Sequence, residues 1–343
     1  MTDLVTLSIE DATTLSRDIL RATGLSERQC EAVTRVIVRA QQDDCHSHGL
    51  YRLLGCVHSV ATGRINKSAE PRVVDLAPSI VKVDADRGFS SLAYEHGIGP
   101  TLDKARVQGM AALAINNCHH FSALWPEVEP LARQGFAALA LTPSHSWVAP
   151  AGGTRPVFGT NPIAFAWPRA EADPFVFDFA TSATARGEIE LHRRAGTDIA
   201  PGLAVDASGD ATTDPAAALE GAMLTFGGHK GSALSAMVEL LGGILIGDML
   251  SLESKAADAG AGATPLHGEL IVVFDPAVFL GGALKDNLHR AETLFGAILS
   301  QGARLPSQRR FEARRNALRN GMRIPRKLHA ELLQLLPEPA FAG

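Results

Sequence analysis

A short stretch of the chain, Asp44 to Arg52 (D-C-H-S-H-G-L-Y-R), places a serine, a histidine and an arginine close together. Ser47 can cap a helix that begins at His48, and in such a helix His48 and Arg52 share one face. The arginine can then bind a substrate carboxylate while the imidazole passes a proton to the neighbouring substrate atom. An ordinary surface helix that carries two histidines is the alternative.

Two further segments could meet a cofactor. Gly227 to Ser232 is a glycine-rich turn that runs into an apolar helix, so free backbone N–H groups, His229 and Lys230 could bind a phosphate. A glycine turn needed only for close packing is the alternative. His119 and His120 follow a predicted strand, and no carboxylate or cysteine completes a metal-ligand spacing with them. A turn in which His120 contacts a cofactor is therefore favoured over a metal site.

Polar residues later in the chain could support these groups. Asp178 ends a predicted strand, and Glu188 follows it in the segment A-R-G-E-I. A carboxylate at Glu188 could orient His48 and stabilise its charged form. Taken alone, Glu188 is better interpreted as an ordinary surface glutamate. Thr160 offers a hydroxyl group, for which simple turn chemistry is the alternative.

A basic cluster lies near the carboxyl terminus and consists of Arg304, Arg309, Arg310, Arg314 and Arg315. Such a run usually forms a solvated helix face. The functional alternative is that it binds the anionic tail of a cofactor, such as a 2′-phosphate.

Length and composition limit the class of protein. A chain of 343 residues exceeds what one compact core usually holds, so two lobes are expected. The net charge of −5 argues against nucleic acid as the main partner. The amino terminus lacks the features of a signal peptide, and the apolar stretch 233–250 contains Glu239 and Asp248, so no membrane span is expected. The four scattered cysteines favour reduced thiols in a cytoplasmic protein.

The elements that must position these residues follow from periodicity. Ser8 and Ser26 are predicted helix caps, with Asp11 and Gln29 in their capping-box positions, and Gly24 ends the first helix. Predicted strands lie at 79–83, 111–115, 137–141, 163–167, 175–179 and 270–274. Predicted helices lie at about 91–106, 124–134, 215–222, 231–246 and 285–300, with an arginine-rich helical tail from 306. The segment 195–214 is predicted to be a long surface loop. No G-x-G-x-x-G motif follows a strand and no Walker A motif is present, so a Rossmann fold has no local support.

Five segments in order resemble the malate/L-lactate/sulfolactate dehydrogenase type 2 superfamily. They are S-H-G-L-Y-R (47–52), N-N-C-H-H-F-S-A (116–123), F-G-T-N-P-I-A-F (158–165), F-D-F-A-T-S-A-T-A-R-G (177–187) and F-G-G-H-K-G-S-A-L-S (226–235). Within it, H-H-F-S-A-L-W-P-E-V-E-P (119–130) and R-L-P-S-Q-R-R (304–310) look most like the bacterial Δ1-piperideine-2-carboxylate/Δ1-pyrroline-2-carboxylate reductases.

The resemblance implies a non-Rossmann α/β fold of the α+β type. A largely antiparallel sheet would bind the nicotinamide cofactor, beside a helical lobe built from both chain ends. On this chain the helical lobe, which also carries substrate and dimer contacts, would span 1–117 and 300–343, and the NADPH-binding domain would span 118–299. The resemblance further implies a homodimer.

Roles for individual residues are also implied by the resemblance. His48 would donate the proton, with Ser47 and Glu188 as its supporting relay. The substrate would be held by Arg52, Thr160, Arg186 and Gly187. The implied cofactor contacts are His120, Phe121, Ser122, Ala123, Leu124, Asp178, Phe179, Ala180, His229, Lys230, Arg304, Leu305, Pro306, Ser307, Gln308, Arg309 and Arg310.

Two positions depart from the pattern expected of the reductases. Glu188 stands where relatives of this type are expected to carry aspartate, so the relay would reach one methylene further. Arg186 resembles the A-R-G form of the wider dehydrogenase group. Both bear on the choice of substrate.

The implied reaction is reduction of the cyclic imines Δ1-pyrroline-2-carboxylate and Δ1-piperideine-2-carboxylate to L-proline and L-pipecolate. NADPH would be the hydride donor, ahead of NADH. A 2-oxo-acid reductase of the malate, lactate or ureidoglycolate type is the near alternative, because a carbonyl needs the same arginine, proton donor and hydride. A metal-dependent hydrolase and a non-enzymatic binding module are the remote ones.

Overall fold

The computed structural model describes residues 3–337, which form a mixed α/β fold. Its helices are α1 (Ile9–Ala22), α2 (Glu27–Gln42), α3 (Arg52–Ala61), α4 (Ser90–Gln108), α5 (Trp125–Arg133), α6 (Arg186–Ala195), α7 (Pro215–Glu220), α8 (His229–Glu239), α9 (Ser251–Asp258), α10 (Pro276–Leu280), α11 (Leu284–Leu299), α12 (Gln308–Asn320) and α13 (Arg326–Leu333). Short 3₁₀ turns cover His46–His48 and Gly281–Ala283, and a π-helical turn covers Leu240–Ile244.

The strands form one large sheet and two small ones. They are β1 (Leu4–Leu7), β2 (Arg72–Ala77), β3 (Ile80–Asp84), β4 (Met110–His119), β5 (Ala137–Leu141), β6 (Ile163–Trp167), β7 (Phe175–Phe179), β8 (Ala204–Val205), β9 (Ala211–Thr212), β10 (Ala222–Met223), β11 (Leu266–Phe274) and β12 (Met322–Pro325). The large sheet has seven strands in the order β2-β3-β4-β11-β5-β6-β7. Only the β3–β4 pair in it is parallel, so this sheet of the described chain is mostly antiparallel, as predicted.

The central sheet supports the site because it is covered on both faces. β11 lies in its middle and is almost entirely buried. On one face α4 and α5 pack against Leu113, Ile115 and Ile271, which have no exposed surface. On the other face α8 and the π-helical turn pack against Leu141 and Leu270. Because both faces of the sheet are buried, its strands appear in the sequence as continuous apolar runs, and this pattern predicted them correctly.

The two ends of the chain meet in a separate helical core. β1 pairs antiparallel with β12, which aligns Val5 with Ile324. Buried residues of α1, α2 and α3 pack there with Met322, Leu328 and Leu332 from the carboxyl-terminal segment. Residues 1–2 and 338–343 of the predicted helical lobe lie outside the described residues.

The predicted helix caps had different outcomes. The Ser8 hydroxyl accepts a hydrogen bond from the Asp11 N–H, and the Asp11 carboxylate accepts one from the Ser8 N–H, so the predicted capping box is formed. The capping box predicted for Ser26 and Gln29 is wrong. Gln29 is buried, and its amide instead donates to the carbonyl oxygens of Asn66 and Lys67, which ties α2 to a neighbouring loop.

Three element predictions need correction. The helix predicted to begin at His48 is instead a 3₁₀ turn that ends there, and α3 starts only at Arg52. The helix predicted for 231–246 ends as α8 at Glu239, whose buried carboxylate accepts hydrogen bonds from the Ser251 N–H and the Asn161 amide. The chain continues there as the π-helical turn. The predicted loop 195–214 contains the two-residue strands β8 and β9.

Candidate active site

A pocket of about 920 Å³ lies between the helical core and the large sheet. Its wall brings together most of the predicted site residues, namely Ser47, His48, Arg52, His120, Phe121, Ser122, Ala123, Thr160, Asp178, Phe179, Ala180, Arg186 and Gly187. Glu188, Leu124, His229, Lys230 and residues 304–310 are not part of this wall. Residues far apart in sequence thus converge on one cavity, as an active site requires.

His48 stands at the end of the 3₁₀ turn and is held by its neighbours. Its Nδ1 lies 3.1 Å from the Ser47 hydroxyl and 3.7 Å from the Cys45 thiol. Burial, together with the positive charges of Arg52 and His120, lowers the pKa of His48 to about 3. His48 is therefore neutral at physiological pH while no anion occupies the pocket. Because Nδ1 is engaged, Nε2 is the ring nitrogen left for a substrate.

Arg52 contributes a cation without a compensating anion. Its Nε is buried and has no hydrogen-bond partner among residues 3–337. Burial lowers its pKa, and the groups that oppose this are the Cys56 thiol, Tyr51 and the Cys45 thiol, none of them a carboxylate. A partly buried guanidinium whose Nε has no partner is costly to the fold, so its presence in a cavity wall points to an anionic ligand.

The remaining predicted substrate residues lie around Arg52. Gly187 allows a close approach of Ser47, since a Cβ atom there would lie 3.2 Å from the Ser47 Cβ, whereas Arg52 Nη2 would lie at an ordinary contact distance of 3.9 Å. Arg186 stacks its guanidinium over the Trp147 ring, 4.7 Å from the ring centre, and donates to the Leu219 carbonyl oxygen at 3.1 Å. Burial lowers the pKa of Arg186 to about 10. Arg186 is thus held by the wall, whereas Arg52 is free to bind a ligand.

Glu188 is placed differently from what the relay requires. It lies in the exposed first turn of α6 and outside the pocket wall. In the part of the chain that is described, the contacts of His48 Nδ1 are Ser47 and Cys45. The relay through Glu188 therefore stays a prediction, and it needs a rearrangement of this turn.

The wall opposite His48 is formed by the 120–125 turn and the end of β7. The Asp178 carboxylate accepts hydrogen bonds from the Leu124 N–H at 2.8 Å and the Trp125 N–H at 3.0 Å. It therefore caps α5 and fixes the turn that carries His120 and Ser122. Burial raises the pKa of Asp178, and these backbone hydrogen bonds oppose the rise. Leu124 contributes its backbone to this cap and not its side chain to the pocket.

The glycine turn before α8 meets the pocket through one aromatic residue. Gly227 and Gly228 have positive φ angles of 56° and 59°, and they lead into α8 at the exposed His229 and Lys230. Phe226, just before them, lines the pocket and packs edge-on against Phe179 with ring centres 5.7 Å apart. The turn thus offers an open helix amino terminus beside the cavity, where an anion could bind.

Close packing also requires a glycine in this turn, at Gly231. A Cβ atom there would lie 2.1 Å from the carbonyl oxygen of Phe226. We expect Gly231→Ala to lower the free energy of unfolding by about 1–3 kcal/mol, because the backbone must shift. Urea denaturation checks this against Gly282→Ala, at a position where a Cβ meets open space. Equal stability of the two variants would contradict the packing argument.

The carboxyl-terminal arginines divide into two groups. Arg310 and Arg314 bind the buried carboxylates of Asp43 and Glu129, which ties α12 to α2 and α5. Arg310 also stacks over Trp125, 4.9 Å from the ring centre, so it supports the pocket wall from behind. Its predicted cofactor contact would compete with these ion pairs.

The other residues of this segment have mixed surroundings. Ser307 donates to the Val176 carbonyl oxygen at 2.7 Å, and Gln308 accepts from the Leu305 N–H. Leu305 is buried, whereas Arg304, Pro306 and Arg309 are exposed. Arg304 and Arg309 are therefore the two predicted cofactor arginines whose side chains remain accessible.

Several site residues were missed by reasoning from the sequence. Cys45 and Trp147 line the pocket. Cys45 directly precedes His46, and Trp147 lies two residues after His145. Glu127 and Glu269 lie buried beside His120 Nε2, at 3.6 Å and 3.9 Å. A glutamate inside the apolar strand β11 was a signal for such a cluster, because a buried acid needs a reason. These three residues are the one group in the described chain arranged closely enough to ligate a metal ion.

Comparison with known proteins identifies the class. The sequence matches the model of the malate/L-lactate dehydrogenase family over residues 7–333, so the chain belongs to this family. The predicted family resemblance is thus confirmed, and with it an oxidoreductase that uses a nicotinamide cofactor.

Individual relatives are more specific. The chain is 58% identical over 332 residues to Δ1-pyrroline-2-carboxylate reductase 1 of Burkholderia ambifaria, covering 97% of this chain and 98% of that one. It is 56% identical over 333 residues to the Δ1-pyrroline-2-carboxylate/Δ1-piperideine-2-carboxylate reductase of Pseudomonas aeruginosa, covering 97% and 100%. The crystal structure of Δ1-piperideine-2-carboxylate reductase from Pseudomonas syringae superimposes with a TM-score of 0.91 at 40% identity, covering 96% and 99%. The chain therefore resembles imine reductases over nearly its whole length.

Within residues 3–337, no helix is both long and apolar enough to cross a bilayer. This agrees with the interpretation of the stretch 233–250, which folds as α8 and the π-helical turn followed by a short turn.

Proposed function

We propose that the protein reduces Δ1-pyrroline-2-carboxylate and Δ1-piperideine-2-carboxylate to L-proline and L-pipecolate. The observation that carries this is the unpaired Arg52 guanidinium in the same pocket wall as His48. Relatives above 55% identity bear the names of such reductases, which supports the choice of an imine. When bound, the nicotinamide cofactor supplies the hydride.

Residues of the chain bind the substrate and transfer the proton. Arg52 pairs with the substrate carboxylate, which is the strongest contact a guanidinium can make to a small acid. Burial is the main cause of the low pKa of His48, and the charge of Arg52 adds to it. A substrate carboxylate bound to Arg52 offsets that charge and raises the pKa of His48, which favours a proton on Nε2 when substrate is bound. Nε2 then passes that proton to the substrate nitrogen. Ser47 keeps the ring oriented through Nδ1.

The wall beyond the reacting groups fits a nicotinamide cofactor. Phe179 is 41% exposed and offers an apolar face in the pocket, and the open amino terminus of α8 with Lys230 suits a phosphate group. We infer that NADPH is preferred over NADH, because the exposed Arg304 and Arg309 can pair with a 2′-phosphate. We infer that residues 118–299 bind the cofactor in a non-Rossmann manner and that residues 1–117 and 300–343 form the lobe for substrate and dimer contacts. The mostly antiparallel sheet and the core shared by the two chain ends support this.

A panel of substrates tests the proposal. NADPH oxidation is followed by its absorbance with Δ1-pyrroline-2-carboxylate, Δ1-piperideine-2-carboxylate, pyruvate and oxaloacetate, and then repeated with NADH. We expect the imines to exceed both oxo acids by at least about tenfold in kcat/KM. Activity with an oxo acid alone would move the protein to the 2-oxo-acid branch, since a carbonyl uses the same Arg52 and His48.

We also infer a homodimer. Ile244 and Leu245 of the π-helical segment are 57% and 66% exposed, and Val74 on the edge strand β2 is 48% exposed. Val74 lies opposite Lys82 on β3, and Lys82 reaches the Ile246 carbonyl oxygen, so these apolar residues share one face of the sheet. An exposed apolar edge of this kind is a typical interface between copies.

Leu245→Glu is expected to dissociate this dimer, because a carboxylate would be buried at the interface. Sedimentation velocity measures the mass of the variant against that of Leu318→Glu, a matched change of an exposed leucine on α12. A wild-type protein that sediments as a monomer would contradict the inference.

Location in the cytoplasm is proposed on the four unpaired cysteines.

A further inference from the structure

Two carboxyl groups lie behind the pocket wall with no cation to balance them. Glu269 has no exposed surface, and Glu127 is 4% exposed. Neither carboxyl oxygen of Glu269 has a hydrogen-bond partner among the described residues. The Oε2 atom of Glu127 has none there either. The nearest basic group is His120, whose Nε2 lies 3.6 Å from Glu127 Oε1 and 3.9 Å from Glu269 Oε2.

Electrostatics prevents both carboxyl groups from being ionised together. Burial raises the pKa of Glu127 to about 7. Burial also raises the pKa of Glu269, and the charge of Glu127 adds to that rise. An oxygen of Glu127, an oxygen of Glu269 and a ring nitrogen of His120 lie within 4.8 Å of one another. Two buried carboxyl groups this close behave as one acid that can share a proton. A proton between them also satisfies oxygens that otherwise have no partner.

The groups that surround this cluster do not supply a competing cation at its centre. Burial lowers the pKa of His120 itself, and the anions of Glu269 and Asp178 oppose that effect while Arg52 reinforces it. Other titratable or charged groups interact electrostatically with His120, Glu127 or Glu269. They are His48, Tyr94, Cys118, Asp178, Arg52 and His267. Of these, Arg52 is the one permanent cation, and it lies on the pocket side.

We propose that Glu127 and Glu269 share a proton behind the pocket wall and act as positioning residues that set the charge of His120 beside the substrate. The inference rests on the reductase activity proposed above. This role of the cluster differs from that of His48, which donates the proton, and from that of Arg52, which binds the substrate carboxylate.

The proton shift that the cluster allows is balanced. Below about pH 7, Glu127 carries a proton in addition to the one on Glu269. The O–H bond of Glu127 can then break while an N–H bond forms at His120 Nε2, and the remaining proton is shared by the two carboxyl groups. The cluster stays neutral overall, because the two carboxyl groups then hold one proton and carry one negative charge, while His120 is an imidazolium with one positive charge. The arrival of a substrate carboxylate at Arg52 removes the opposing positive charge in the pocket and favours this form. His120 then carries a positive charge where the substrate reacts.

An infrared measurement tests the shared proton without reference to activity. At about pH 7, the wild-type protein is expected to show the C=O band of a protonated carboxylic acid, and Glu127→Gln/Glu269→Gln is expected to lose it. Tyr94→Phe is the matched control. It removes a hydroxyl that donates to the Glu127 carbonyl oxygen at 2.7 Å and leaves both carboxyl groups in place.

Kinetics test the role of the pair. The wild-type kcat for imine reduction is expected to fall as pH rises through about 7, where the cluster loses its proton. In the double variant this alkaline limb should vanish, leaving a kcat at least about tenfold lower and flat from about pH 6 to 8. Tyr94→Phe should keep the wild-type profile, and circular dichroism establishes that all variants fold.

Three results would overturn the inference. One is a wild-type spectrum without a protonated carboxyl band. Another is a stoichiometric metal ion in the purified protein, since a metal bound by His120, Glu127 and Glu269 replaces the shared proton. The third is a folded double variant that keeps the wild-type pH limb. Failure of the proposed function is distinct, because the wild-type protein would then reduce no imine at any pH.

Discussion

Replacing His48 with alanine is expected to lower kcat for imine reduction at least ~10²-fold, the usual contribution of a positioned proton donor. Binding of NADPH should change little, because His48 lies with Ser47 and Cys45 on the helical side of the pocket. Steady-state kinetics give kcat, and fluorescence titration gives the Kd for NADPH.

A matched control separates chemistry from structure. His46 shares the 3₁₀ turn with His48, but it is exposed and its Nδ1 contacts Gln41, outside the pocket. His46→Ala should therefore retain nearly wild-type kcat. If His48→Ala turned over imine at the wild-type rate, another group would have to donate the proton, and the assigned role of His48 would be wrong.

Replacing Arg52 with methionine is expected to have two opposite effects. The kcat/KM for imine should fall ~10²–10³-fold, because the substrate carboxylate loses its charged partner in a buried site. The melting temperature should rise, because methionine fills similar space and removes a buried guanidinium that has no anionic partner. Few changes that impair a site are expected to stabilise the fold, so the combination is diagnostic.

Arg17 provides the control for this variant. Its Nε is also buried without a hydrogen-bond partner, but it lies on α1, away from the pocket wall. Arg17→Met should leave kcat/KM unchanged. Differential scanning calorimetry and steady-state kinetics check both variants. A stable Arg52→Met protein with unaltered kcat/KM would show that the carboxylate binds elsewhere.

Much of the fold follows from local patterns. Short apolar runs such as 137–141, 163–167 and 175–179 are strands with the predicted bounds, because burial on both faces of the sheet leaves a continuous apolar signal. β2 was missed because it is an exposed edge strand and carries no such signal. The pairing of β1 with β12 could not be predicted either, since nothing local links residues some 320 positions apart.

The site, like the fold, was predicted from the sequence only in part. His48, Arg52, Arg186 and Asp178, to which the resemblance gives roles in the site, line one cavity, and their roles stay predictions. The helical geometry assumed for His48 and Arg52 was wrong, because the 3₁₀ turn His46–His48 ends at His48 and α3 begins only at Arg52. The ion pairs of Arg310 with Asp43 and Glu129 depend on three distant helices, so an arginine run in the sequence could not reveal them.

The most direct test of the central claim follows the hydride itself. NADPH that carries deuterium at the reactive position of the nicotinamide is incubated with the protein and Δ1-pyrroline-2-carboxylate, and the product is analysed by mass spectrometry and chiral chromatography. The account predicts L-proline that carries one deuterium on the carbon bearing the carboxylate. Unlabelled product, or no product while an oxo acid is reduced instead, would contradict it.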